Sequence, residues 1–358
     1  MMRLPNFRYY APRTLEEATK ILAGEGPSAS LLAGGTDLLP KMKRRQQEPE
    51  VLVALNNIGQ LKKIGNNSSL RLGAGVTLSD IVADQRVRKD YLALWQAASQ
   101  VATPALRNTA TLGGNLCVDT RCTYHDQSFE WRKAIGFCIK QDGDICWASP
   151  TSDRCWAVSS TDSAPALLAL GAEVRLLSAT GERIVALESL YRDDGVLYLT
   201  RQPDEILAEV ILPTCAEWRS TYWKLRRRGA FDFPILSVAA ALRIDAGGTV
   251  REARLILSAI ASSPVSCTDA VELLIGNRLS DELIEEVATL AGVSARPKEN
   301  TDAPAYWRRR MAVPMVTWAL RELRGDDMCD ERRRLAGQAV SMCQAPHSSQ
   351  TTTKENGK

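Results

Sequence analysis

Residues 31–40 read LLAGGTDLLP, an apolar run that breaks at two glycines and resumes as a helix-like segment. Paired glycines allow positive φ and close backbone approach to an anion, so successive N–H groups can face one phosphate. Thr36 adds a hydroxyl. A second turn of the same kind, TLGGN at 111–115, follows another apolar region and adds the amide of Asn115. Neither turn is a Walker A or a G-x-G-x-x-G motif, which argues against a P-loop or a Rossmann site. One such turn alone reads equally well as a tight bend; two in one domain point to a diphosphate held from both sides.

Outward from these turns, SLLA, EVLVAL (50–55) and SLRLGAGVTL (69–78) read as strands. A continuous helical period covers SDIVADQRVRKDYLALWQAASQVA, with Ser79 as its expected N-cap. TDSAPALLALGAEVRLLSATGERIVAL reads as a short helix followed by a hairpin turning at TGE. From 219 onward, apolar strands precede helices, the pattern of a separate α+β domain. The expected division is a domain over 1–218, a second over 219–325, and a polar, disordered tail over 326–358.

The 358 residues are 45% hydrophobic and 24% charged, an ordinary globular composition, and the formal net charge is only +3. No large basic field suggests nucleic acid, so KMKRRQQ (41–47) and the RRR runs at 226–228 and 308–310 read as solvated faces or partner contacts. No apolar stretch is long enough for a membrane span, and the first residues lack a signal-peptide core, so a cytoplasmic location is expected.

Residues 118–160 interrupt the regular rhythm, and five of the nine cysteines crowd around them: Cys117, Cys122, Cys138, Cys146 and Cys155. In a reducing compartment such a group points to metal or redox chemistry. The spacing C-x15-C-x7-C-x8-C from Cys122 to Cys155 lacks the close pairs usual in structural zinc sites. On ligand chemistry alone, zinc and a [4Fe–4S] cluster stand level.

LLAGGTDLLP, TLGGNL, DSAPALLALGAEV and KLRRRGAFDFPILSVAAAL, in this order, resemble the FAD-binding subunit of the molybdenum hydroxylase family over about residues 3–325. The resemblance implies an α+β fold: a two-subdomain FAD domain of the vanillyl-alcohol-oxidase type and a small C-terminal α+β domain. By position, it implies that Leu31, Leu32, Ala33, Gly34, Gly35, Thr36, Asp37 and Leu38, with Thr111, Gly113, Gly114 and Asn115, hold the FAD pyrophosphate. Asp162 would receive ribityl hydroxyls, Leu207 would pack on the isoalloxazine, and Lys224 would place a cation beside it. Taken singly, Asp162 could be a helix N-cap, Leu207 core and Lys224 a surface charge.

Ordinary members of the family join the GGN turn to the aspartate by a much shorter link than Asn115 to Asp162 here. The insertion is similar to that of the 4-hydroxybenzoyl-CoA reductase β subunit, which implies a [4Fe–4S] cluster on Cys122, Cys138, Cys146 and Cys155. Cys117 then reads as packing and His125 as a loop histidine. No residue of this chain is assigned to the organic substrate. The implied partners are a large subunit with the molybdenum cofactor, a small subunit with two [2Fe–2S] clusters, and a ferredoxin-like donor, in a dimer of heterotrimers. The implied function is electron transfer through FAD, in a reductive dehydroxylase or, alternatively, a xanthine-, aldehyde- or CO-dehydrogenase-type hydroxylase.

Overall fold

A computed structural model describes residues 3–66, 69–215, 217–229 and 231–335. Thr14 starts the first helix, Leu15–Glu25: its side chain accepts from Glu17 N, and Glu16 and Glu17 lie in the favourable first turn. This helix packs on a three-stranded parallel sheet whose order is Arg8–Tyr10, Val51–Ala54, Ala29–Leu32. The middle strand VLVA is buried throughout, as a strand covered on both faces requires. Ala29–Leu32 ends directly on the first glycine turn, so the turn sits at the carboxyl end of a parallel strand, a common place for ligands.

A five-stranded antiparallel sheet follows, in the order Ile64–Asn66, Leu70–Gly73, Ile206–Leu212, Glu173–Ser178, Gly181–Ala186. The last two strands form the expected hairpin. The continuous helix expected from Ser79 is instead three: Leu78–Ala83, Gln85–Asp90 and Leu92–Ser99. The cap is Thr77, which shares a reciprocal capping box with Asp80. Asp84 breaks the run because it takes an extended conformation and its carboxylate accepts from Arg86 N and Val87 N, starting the next helix.

The C-terminal sheet runs Val265–Ser266, Val250–Ser258, Leu236–Ile244, Trp218–Leu225. Its side chains alternate between two cores, as a period of two dictates. Tyr222, Ala239, Ala241 and Ile256 join the core of the first domain. Trp223, Val238, Ala240, Leu242, Leu255 and Leu257 join a second core with the helices Asp281–Ser294 and Ala305–Arg324. The sheet therefore belongs to both domains, and the expected α+β architecture holds.

Two expectations are corrected. The tail does not begin at 326: a helix spans Cys329–Arg334, and its buried Arg332 donates to Glu322 and Thr221 and stacks on Trp223. Residues 336–358, with Cys343, lie outside the described residues. Nor are the basic runs uniformly solvated. Lys41 and Arg308 are fully buried, because Lys41 meets Asp119 and Arg308 donates to the carbonyls of Ile235, Lys298 and Ala259. Among the described residues, no helix is long and apolar enough to cross a membrane.

Candidate functional site

The two glycine turns meet at one wall of a cavity of about 980 Å³, near the upper end of the size range of small-molecule sites. Their contact depends on Gly34, where a Cβ would overlap the Thr109 carbonyl just ahead of the second turn. Gly35 has φ +68°, a conformation that favours glycine. Among the described residues, none accepts from the backbone N–H of Gly34, Gly35, Thr36, Asp37 or Leu38. Five successive donors on the cavity wall form an anion-binding nest.

The second turn lines the same cavity and behaves differently. Leu112 N donates to Val76 O (2.9 Å), Gly113 N to Ala74 O (2.8 Å), Gly114 N to Thr111 Oγ1 (3.1 Å) and Asn115 N to Thr111 O (2.9 Å). A Cβ on Gly113 would stand 2.7 Å from Ala74 Cβ. Asn115 Oδ1 accepts from Thr161 Oγ1 and Ser163 N, bracing the turn against the helix Ser163–Ala169. The backbone donors of Leu112, Gly113, Gly114 and Asn115 are thus engaged within the protein. This turn buttresses the cavity.

Leu31–Leu38, Asp162 and Leu207 all line the cavity. Asp162 precedes the helix Ser163–Ala169 yet makes no side-chain cap bond, which removes the N-cap alternative. Its Oδ1 accepts from Tyr222 OH (2.6 Å) and its Oδ2 from Lys224 Nζ (3.0 Å). Burial raises the Asp162 pKa and lowers that of Lys224, while each partner's charge pulls the other back. Lys224 is wholly buried behind Asp162 and outside the cavity lining, so its charge reaches the cavity through that carboxylate. Leu207 is cavity wall and core together.

Sequence inspection missed several groups. Ser160 Oγ is buried in the wall without a partner among the described residues. Tyr198, Arg201, Arg228, Phe231 and Phe233 also line the cavity, and Arg121 lies 4.3 Å over the Phe233 ring while ion-pairing with Asp37. Asp119 lies just beyond the second turn and joins Lys41, beyond the first, to Lys140 of the cysteine segment. Lys140 Nζ also donates to Thr120 Oγ1 (2.8 Å) and Gly195 O (2.7 Å). Burial opposes the Asp119 charge, but Lys140 and Lys41 outweigh it and hold its pKa at about 2. The run KMK, polar and charged, hid this network.

The cysteine segment carries one short helix, Phe129–Ala134, and otherwise turns. It is fastened to the second domain: Thr123 N donates to Asn300 O (2.9 Å), Asn300 Nδ2 to Trp156 O, and Ser159 N to Ala261 O (3.0 Å). Trp156 lies between Arg154 and Lys298. Cys122, Cys138, Cys146 and Cys155 are buried free thiols. Burial pushes Cys122 up to about 12, with a further push from the other three thiols, and Cys155 up to about 11. Ala157 N donates to Cys155 Sγ at 3.4 Å. Thiols are metal ligands by their chemistry. Among the described residues, however, no three His, Cys, Asp or Glu groups are arranged to hold a metal ion. The closed ligand set that the resemblance implies is therefore not formed among the described residues. Cys117 lines the cavity and packs on the first core.

Residues 5–215 match the family model described as the FAD binding domain in molybdopterin dehydrogenase, and 220–323 match the CO dehydrogenase flavoprotein C-terminal domain. The carbon monoxide dehydrogenase medium chain of Hydrogenophaga pseudoflava is 27% identical over 88% of this chain and 96% of its own. The aldehyde oxidoreductase FAD-binding subunit PaoB of Escherichia coli (strain K12) is 32% identical over 68% of this chain and 80% of its own. Among solved structures, Hydrogenophaga pseudoflava carbon monoxide dehydrogenase superposes with TM-score 0.74 at 26% identity, covering 90% of this chain and 98% of that one.

Proposed function

The chain belongs to the FAD-binding subunits of the molybdenum hydroxylase family, and on that premise we propose that it passes electrons between a molybdenum-containing partner and an external redox partner. The observation that carries this is the unbonded N–H row from Gly34 to Leu38 on a dinucleotide-sized cavity. FAD, when bound, supplies exchange of one or two electrons. The row would hold its pyrophosphate, with the turn Thr111–Asn115 as support. Asp162, whose oxygens already accept from Lys224 and Tyr222, would also accept from the ribityl chain, and Leu207 would exclude water from one face of the ring. The relatives named above are the medium chain of a carbon monoxide dehydrogenase and the FAD-binding subunit of an aldehyde oxidoreductase, which favours a hydroxylase-type assembly with a molybdenum-cofactor subunit and a [2Fe–2S] subunit, in a dimer of heterotrimers. Full-length purified chain should bind close to one FAD per molecule by absorbance after acid release. A colourless folded protein that fails to take up added FAD would overturn the proposal.

A second reading is favoured by one observation, the four buried free thiols in a segment added between the two halves of the flavin wall. In it, Cys122, Cys138, Cys146 and Cys155 hold a [4Fe–4S] cluster fed by a ferredoxin-like donor, and the assembly reduces 4-hydroxybenzoyl-CoA. Anaerobically purified chain with flavin but only background iron and sulfide would exclude it.

A further inference from the structure

The segment 118–160 leaves the first domain and returns to it through a narrow neck. Arg121 N donates to Val158 O at 2.8 Å and Val158 N donates to Arg121 O at 2.7 Å, an isolated antiparallel bridge that closes the loop on itself. From this neck the Arg121 side chain, only 16% exposed, reaches back to Asp37 of the first glycine turn. Its guanidinium also lies 4.3 Å over the ring of Phe233, in the link between the strands Trp218–Leu225 and Leu236–Ile244. Asp37 and Phe233 both line the cavity. The ring supports the face of the guanidinium and leaves its N–H edge to the carboxylate.

Asp37 is the awkward member of the donor row. Its N–H is one of the five without an acceptor among the described residues, yet its carboxylate puts a negative charge beside the place for a phosphate. Like charges at a partly buried wall repel more strongly than they would in water. Two cations meet this carboxylate: Arg121 donates to Oδ1, and Lys41 Nζ stands 3.5 Å from Oδ2. Lys41 is already engaged with Asp119, which also holds Lys140. Asp126 Oδ1 lies 3.8 Å from Arg121 Nη1. Asp37, Asp119 and Asp126 thus face Lys41, Lys140 and Arg121, and this group of charges balances only with Arg121 in place.

We infer that Arg121 is a positioning residue of the flavin pocket, which holds and cancels the Asp37 carboxylate so that the first glycine turn can take the pyrophosphate. The inference rests on the FAD reading above. It gives the neck of the inserted segment a part in the flavin site that requires no metal. Opposite effects are expected from the two members of this ion pair. Removing Arg121 exposes the Asp37 charge to the pyrophosphate, whereas removing the Asp37 charge leaves a cation beside it. An ion pair that served folding alone would give losses of the same sign.

The test measures FAD affinity by fluorescence titration of full-length, flavin-stripped chain at low and high salt. Wild type, Arg121→Gln, Asp37→Asn and the double variant are compared. Asparagine keeps the backbone N–H at position 37 and changes only the charge beside it. Arg121→Gln should weaken FAD binding about tenfold at low salt and less at high salt. Asp37→Asn should tighten it about threefold, and the double variant should return to within about threefold of wild type. Unchanged affinity in Arg121→Gln would overturn the role of Arg121, as would a double variant no better than Arg121→Gln. If Arg121→Gln fails to fold by circular dichroism, the sign of the Asp37→Asn effect decides: tighter binding supports the role, and unchanged or weaker binding overturns it. A folded wild-type chain that takes up no FAD would overturn the flavin reading itself, and this inference with it.

Discussion

GGTD at 34–37 and GGN at 113–115 are nearly the same text, yet they do opposite things with their backbones. The first follows a parallel strand and leaves five N–H groups without acceptors among the described residues. The second opens a five-residue helix whose first N–H groups go to Val76, Ala74 and Thr111. Glycine serves the first turn by freeing its backbone for an anion. It serves the second by letting the backbone lie against Ala74. A glycine pair thus signals close approach, and the approaching group can be a ligand or the protein itself.

The largest effect is expected where the segments after the two turns are joined. Asp119→Asn would leave buried Lys41 and Lys140 without their shared carboxylate and should cost about 3–5 kcal/mol in denaturant unfolding. The same pair predicts the pH response. The Asp119 pKa is lowered on folding, so its stabilisation is complete above about pH 4 and is lost as pH falls toward 2. That contribution is about 2.5 kcal/mol, and an acid titration of the variant should lack it.

Gly34→Ala should then separate the turns. Its Cβ would push the first turn off Thr109 and misdirect the donor row, weakening FAD retention about a hundredfold, or about 3 kcal/mol, in a dialysis assay. Equal flavin loss from Gly34→Ala and Gly113→Ala would erase the distinction drawn between them. Gly113→Ala is instead expected to lower stability by about 1–3 kcal/mol through overpacking on Ala74, with flavin affinity nearly kept in the folded fraction. Thr111→Ala removes only the cap on Gly114 N and should cost about 1 kcal/mol by thermal unfolding.

Much of the scaffold was legible in the chain. VLVA is legible as a continuous apolar run, the hairpin by its TGE turn and the helix Asp281–Ser294 by its helical period. The break at Asp84 was hidden because an aspartate in a good helical period signals neither stop nor start until its carboxylate finds Arg86 N and Val87 N. At the candidate site, Leu31–Leu38, Asp162 and Leu207 reach the cavity as their motifs implied. Lys224 is registered opposite Ser237 in the sheet and donates to Asp162, a pairing that its place in KLRRR does not show.

By itself, the sequence determined the α+β class, the two glycine turns and the thiol-rich insertion, since these depend on local period, residue shape and composition. Only the tertiary structure decided which turn keeps its donors, that Lys41 is buried against Asp119, and that Arg132 and His125 converge on one amide of Gln141. Each of these is a contact between residues far apart in the chain or on different turns. Whether a polar group is spent or free depends on what folding brings opposite it, and no local pattern records that.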